Sequence, residues 1–110
     1  MTQPPDELAQ WVETLAGQLQ TIAKRLRAHS KPGTDQPVDE WLAPLLTDFS
    51  HTQGLARQAE HVLSAYAIRG GIMGAARVAR LTGVTISAAT GRAASKVTRD
   101  AWGHAFGEKG

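Results

Sequence analysis

Apolar residues recur along this chain at steps of three and four, and no segment alternates apolar and polar positions for long, which confines it to helices. The clearest run opens the chain. Leu8, Trp11, Val12, Leu15, Leu19, Ile22 and Leu26 line up as one stripe on a 3.6-residue period. Pro4, Pro5 and Asp6 precede it, with Asp6 placed to cap the first turn. Lys24, Arg25, Arg27 and His29 fall where positive charge suits a helix end, so the helix should stop between Ala28 and Ser30. The stripe offers a surface for dimerisation or bundling; packing back within one chain is equally allowed.

Residues 31–38 then read as a linker, because Pro32, Gly33, Asp35 and Pro37 give no core-forming face. The remainder, 39–110, reads as a second helical unit. Trp41, Leu42, Leu45, Leu46 and Phe49 mark a short helix from Asp39 to about Phe49 with a buried apolar cluster, and Pro44 argues for its starting at Trp41 or later. Ser50 with Gln53 three residues on has the form of a capping box, which predicts a new helix carrying Leu55, Ala59, Val62, Leu63, Tyr66 and Ala67. Gly70 and Gly71 end that helix.

The stretch 74–98 has the spacing of two short helices meeting at a steep angle. Ala79 is small where the helices must approach, Gly83 can adopt the left-handed backbone of a tight turn, Val84 can plug the space between the helices, and Thr85 can cap the second one. The run Val78-Ala79-Arg80-Leu81-Thr82-Gly83-Val84-Thr85 resembles the helix-turn-helix of bacterial transcriptional regulators of the lactose-repressor type. The resemblance implies that Thr85 opens a recognition helix, with Ile86, Ser87, Ala88, Thr90 and Arg92 facing the DNA. On chemistry, Arg92 suits a guanine edge, Ser87 and Thr90 suit short hydrogen bonds, and Ala88 suits a thymine methyl. Lys96, four residues beyond Arg92, suits phosphate, as do Arg77 and Arg80 on the helix that crosses the backbone; Arg99 completes the basic set. Ala89 stands where this motif usually holds valine or isoleucine, and Gly91 inside the second helix costs about 0.5 to 1 kcal/mol against alanine. The segment from Ser95 to Ala105 prolongs or follows the second helix, with Val97, Trp102 and Phe106 available to close the core. No alternating hairpin follows that could form a β-wing, and the tail 107–110 should fray.

Charge supports this reading. Residues 1–60 carry five bases against eight acids, a net −3, whereas 61–110 carry seven bases against two acids, a net +5. No acid lies between Glu60 and Asp100, a span that holds Arg69, Arg77, Arg80, Arg92, Lys96 and Arg99. Such a surface attracts a polyanion. The absence of cysteine removes disulfides and thiolate zinc sites, and His29, His51, His61 and His104 lack metal-ligand spacing, so no cofactor or metal is expected. The amino end has no basic segment or continuous apolar core, and no 18-residue apolar run occurs, so a cytoplasmic protein without a membrane partner is expected.

These features together predict an all-α helical bundle that contains a wingless helix-turn-helix after a long amphipathic helix. The expected function is sequence-specific binding of double-stranded DNA, as a homodimeric transcriptional regulator or a plasmid or phage maintenance factor, rather than catalysis. No pattern identifies a small-molecule effector. Two alternatives are a helical adaptor that uses the same basic surface to hold an acidic protein, and a small catalytic or toxin subunit whose active groups have no recognisable spacing.

Overall fold

A computed structural model describes residues 5–106 of the chain; Pro4 and the tail 107–110, expected to fray, lie outside the described residues. Five helices, α1 (Asp6–Ala28), α2 (Val38–Arg69), α3 (Ala75–Thr82), α4 (Ile86–Ala93) and α5 (Lys96–Phe106), follow in order, with no strand among the described residues. The fold is therefore all-α, as the spacing predicts. No described helix is long and apolar enough to cross a membrane.

The amino-terminal stripe is consumed inside the chain. Leu8, Leu15 and Ile22 are buried, and Trp11, Leu19 and Leu26 pack partly buried beside them against Leu55 and Ala59 of α2 and Ala101 and Ala105 of α5. Each full burial of a large aliphatic side chain contributes about 1.5–3 kcal/mol, so the stripe is spent on intrachain packing. Of the seven candidate dimerisation residues only Val12 remains exposed. The Arg25 guanidinium donates to the nearly buried Asp48 carboxylate across the α1–α2 seam at 3.0 Å, which favours the charged arginine. The first turn of α1 differs from expectation in detail: Pro5 is the cap residue with no side-chain hydrogen bond, and Asp6 and Glu7 lie inside the turn, where they still oppose the helix dipole.

The linker forms a compact turn. Gly33 N–H donates to the Gln36 side chain at 2.9 Å, Asp35 takes a positive φ of 61°, and the Trp41 indole donates to the His29 carbonyl at 2.9 Å, tying the start of α2 to the end of α1.

Two separate helices were expected over 39–70; the structure has one, α2, of 32 residues. Pro44 lies inside it and removes the one amide that would reach the Glu40 carbonyl, a loss confined to the second turn and placed on the exposed side. Ser50 caps nothing: it sits exposed in mid-helix, and Thr52 donates instead to the Asp48 carbonyl at 2.9 Å. The apolar cluster at the start of α2 is not buried as a unit either. Trp41 and Leu45 are half-buried, whereas Leu42, Leu46 and Phe49 are exposed, because α1 covers a different face of the helix.

The end of α2 follows expectation. Gly71 takes φ 65°, and the Ile72 amide returns to the Ala67 carbonyl at 2.9 Å. A Cβ at Gly70 would lie 2.9 Å from the Tyr66 carbonyl oxygen, so this turn requires glycine at both positions. Val62, with no exposure, joins Leu8, Ala101 and Ala105 in the main core. Tyr66, Trp102 and Phe106 extend it, the Trp102 and Phe106 rings lying 4.3 Å apart and Arg69 standing 5.0 Å over Trp102.

Candidate nucleic-acid interface

The helix-turn-helix geometry is built from a second, smaller core. Val78 and Ala79 of α3, Ala89 of α4 and Ala67 of α2 are buried together, with Met73 and Val84 packed at the edge. Gly83 ends α3 at φ 72°, ψ 25°, and the Val84 amide donates back to the Ala79 carbonyl at 3.1 Å, turning the chain so that Val84 enters the angle between the helices. Thr85 is extended, and its hydroxyl accepts from the Ala88 amide at 3.0 Å, the capping its position predicts. Ala89 is completely buried, so a residue smaller than the usual valine brings α4 close to α2 and α3.

Burying Ala89 leaves Ile86, Ser87, Ala88, Thr90 and Gly91 on the outer side of α4, all exposed. The Thr90 hydroxyl donates to the Ile86 carbonyl at 3.0 Å and keeps acceptor capacity outward. Arg77 and Arg80 of α3 and Arg99 of α5 are also exposed, and no ion pair among the described residues engages them. Neither α3 nor α4 carries an acid in its first turn, so the positive ends of both helix dipoles are left uncompensated.

Two candidate residues stand elsewhere than expected. Arg92 does not reach outward: its guanidinium pairs with Glu60 of α2, and its side chain is mostly covered. The reason lies in the packing, since the buried side of α4 at Ala89 sets Arg92, three residues on, toward α2. Lys96 is not on the second helix at all. That helix ends at Ala93, and Ser95 caps a new one by accepting the Thr98 amide at 3.2 Å. Lys96 then pairs with Asp100 at 3.1 Å, one turn along an exposed face.

The break between α4 and α5 is held by a polar network that spacing alone does not disclose. Thr98, with no exposure, donates its hydroxyl proton to the Arg92 carbonyl at 2.5 Å. Ser95 must then supply the proton in its 3.1 Å contact with Thr98, which leaves Ser95 Oγ to accept from His61 Nδ1 at 3.0 Å. His61 therefore carries a proton on Nδ1. Burial, and next the charge of Arg57, push its pKa below the ordinary 6.5. His61 on α2 thereby joins the Ser95–Thr98 network at the end of the second helix.

No group of three or more His, Asp or Glu that could hold a metal occurs among the described residues. Comparison of the chain with protein families, with curated proteins and with solved structures finds no match.

Proposed function

We propose that this chain binds double-stranded DNA through α3 and α4, as a cytoplasmic regulator of transcription or a maintenance factor of a plasmid or phage. The observation that carries the reading is an exposed α4 face of small, hydroxyl and methyl-bearing side chains, together with exposed Arg77 and Arg80 of α3 and Arg99 of α5, which no ion pair among the described residues engages. Glu60 and Asp100, the acids that bound this stretch, are each taken by a base, Arg92 and Lys96. In this reading Arg77 and Arg80 hold phosphates and fix the register. Ser87, Thr90, Ala88 and Ile86 meet base edges, with hydroxyls for hydrogen bonds and methyls for thymine. With Arg92 turned inward, no long bidentate side chain remains on α4, so discrimination rests on short contacts and DNA shape.

Selection of bound sequences from a random duplex pool tests the proposal. Enrichment of a defined site supports it. A pool that stays random, with no retained duplex, counts against it.

A second reading has one specific observation behind it. Leu63, Ala67, Met73, Val78 and Leu81 line an apolar groove between α2 and α3, and Leu81 and Ile86 are largely exposed beside it. A protein helix with an apolar face fits such a groove. Salt-insensitive binding of a protein without duplex binding favours that reading.

A further inference from the structure

The apolar cluster at the start of α2 is exposed for a reason visible along the whole helix. Glu60, Ser64 and Ala67 lie on the side of α2 that receives α3 and α4: Glu60 pairs with Arg92, Ser64 is buried, and Ala67 packs on Val78 and Ala89. Stepping back from them by helical periodicity, Gln53, Phe49, Leu46, Leu42 and Val38 lie on the same side. There nothing among the described residues covers it. Val38 is 68% exposed, Leu46 66%, Phe49 56% and Leu42 39%. Half-buried Leu45 borders this stripe, walling a shallow groove with Phe49, with Leu26 and Arg27 of α1 and with Ser30 just beyond that helix.

We infer that this stripe is a homodimer interface in which α2 pairs antiparallel with α2 of a second copy about a two-fold axis between Leu45 and Leu46. Three features of the stripe point to a second copy. It is self-complementary: in that register Leu42 faces Phe49 of the other chain and Leu45 faces Leu46, so each apolar group meets another, and Val38 meets Gln53. The charges select the antiparallel sense. A parallel pair would set Asp39, at the edge of the stripe, against its own copy, whereas the antiparallel one places it opposite Thr52. The area is adequate. The exposed fractions amount to roughly 400 Å² of apolar side chain per chain, the size of a functional patch. Two such patches supply about half of a standard interface, the polar flanks of α2 and the end of α1 providing the rest. The stripe of α1 is unavailable for this purpose, being already buried. This interface is read on the free protein and does not depend on the DNA reading.

Sedimentation equilibrium on the full chain tests it. The wild type should show a dimer at twice 11.7 kDa. Leu46→Asp combined with Phe49→Asp should weaken dimerisation by on the order of 100-fold or more, since a charge in an apolar contact costs several kcal/mol. Both positions are exposed in the single chain, so helicity by circular dichroism should be unchanged; Val12→Asp, on the exposed side of α1, should leave the dimer intact. Because the chain has no cysteine, oxidative cross-linking reads the register. A mixture of the Leu42→Cys and Phe49→Cys chains should cross-link to each other and not to themselves. A wild type that stays monomeric at about 100 μM, where even a weak specific pair of this size associates, overturns the inference. So does a dimer that survives the double substitution, or preferential self-linking of Leu42→Cys.

Discussion

Arg92 separates a structural role from a recognition role, and removing it gives a result the two roles share in neither sign nor size. Its side chain keeps 18% of its exposure and that of Glu60 39%, so the pair is covered on one side and solvated on the other. Breaking a fully buried ion pair costs about 3–5 kcal/mol. Solvent access at Glu60 reduces that, while the arginine stem adds apolar contact, which leaves about 1–2 kcal/mol for the Arg92 side chain. For a chain of this size Arg92→Ala should lower the melting temperature by roughly 4–10 °C. Urea unfolding of Arg92→Ala, Glu60→Gln and the double variant forms a cycle whose coupling energy should be about 1 kcal/mol. In duplex binding well below the melting temperature, Arg92→Ala should change the ratio of specific to nonspecific affinity by less than about threefold, whereas loss of a bidentate guanine contact costs about 1–3 kcal/mol, at least fivefold. Unchanged stability with collapsed discrimination refutes the argument, because Arg92 then faces the DNA and not α2.

Two further perturbations test the head. Gly83→Ala places a Cβ in open space, so its cost is that of the backbone at φ 72° alone, about 1 kcal/mol by urea unfolding, and Gly83→Asn should cost less. An unchanged midpoint in Gly83→Ala means the turn has no left-handed residue. The pKa of His61 is pushed below 6.5 in the folded chain, by burial first and by Arg57 next. Above pH 6.5 neither folded nor unfolded chain protonates it; as pH falls below 6.5 the unfolded chain takes the proton first, so stability is lost down to the folded pKa and is level beneath it. The fall in melting temperature between about pH 7.5 and about pH 5 should therefore be smaller in His61→Gln than in the wild type; equal falls contradict the half-buried, Ser95-bound histidine.

The sequence discloses the parts of this fold whose signals are local. The stripe from Leu8 to Leu26, the turn at Gly83 and the cap at Thr85 each depend on residues within a few positions, and each stands in the structure where its chemistry puts it. The continuity of α2 is not local. Pro44 and the Ser50–Gln53 pair both imitate boundaries, yet the helix runs through them because Asp48, Leu55 and Val62 are held by α1 and α5, and tertiary contact outweighs a single lost donor. The candidate site divides the same way. Ser87, Ala88 and Thr90 are outward because Ala89 is inward, which periodicity foretells. Arg92 turns inward because Glu60, thirty-two residues earlier, meets it, and Lys96 leaves the second helix because Thr98, Ser95 and His61 close that helix from outside. Long-range partners of this kind leave no spacing to read. The acid-free span from 61 to 99 points to them only in retrospect, since Glu60, just before it, is the acid that Arg92 uses.

Binding of a labelled duplex followed by fluorescence anisotropy between about 50 and 200 mM salt tests the central claim most directly. The account predicts that affinity falls steeply with salt and that the logarithmic slope drops by about one in Arg80→Ala, at every duplex sequence alike. No binding to any duplex at about 50 mM salt, or binding with a flat salt dependence that Arg77→Ala and Arg80→Ala leave untouched, contradicts it.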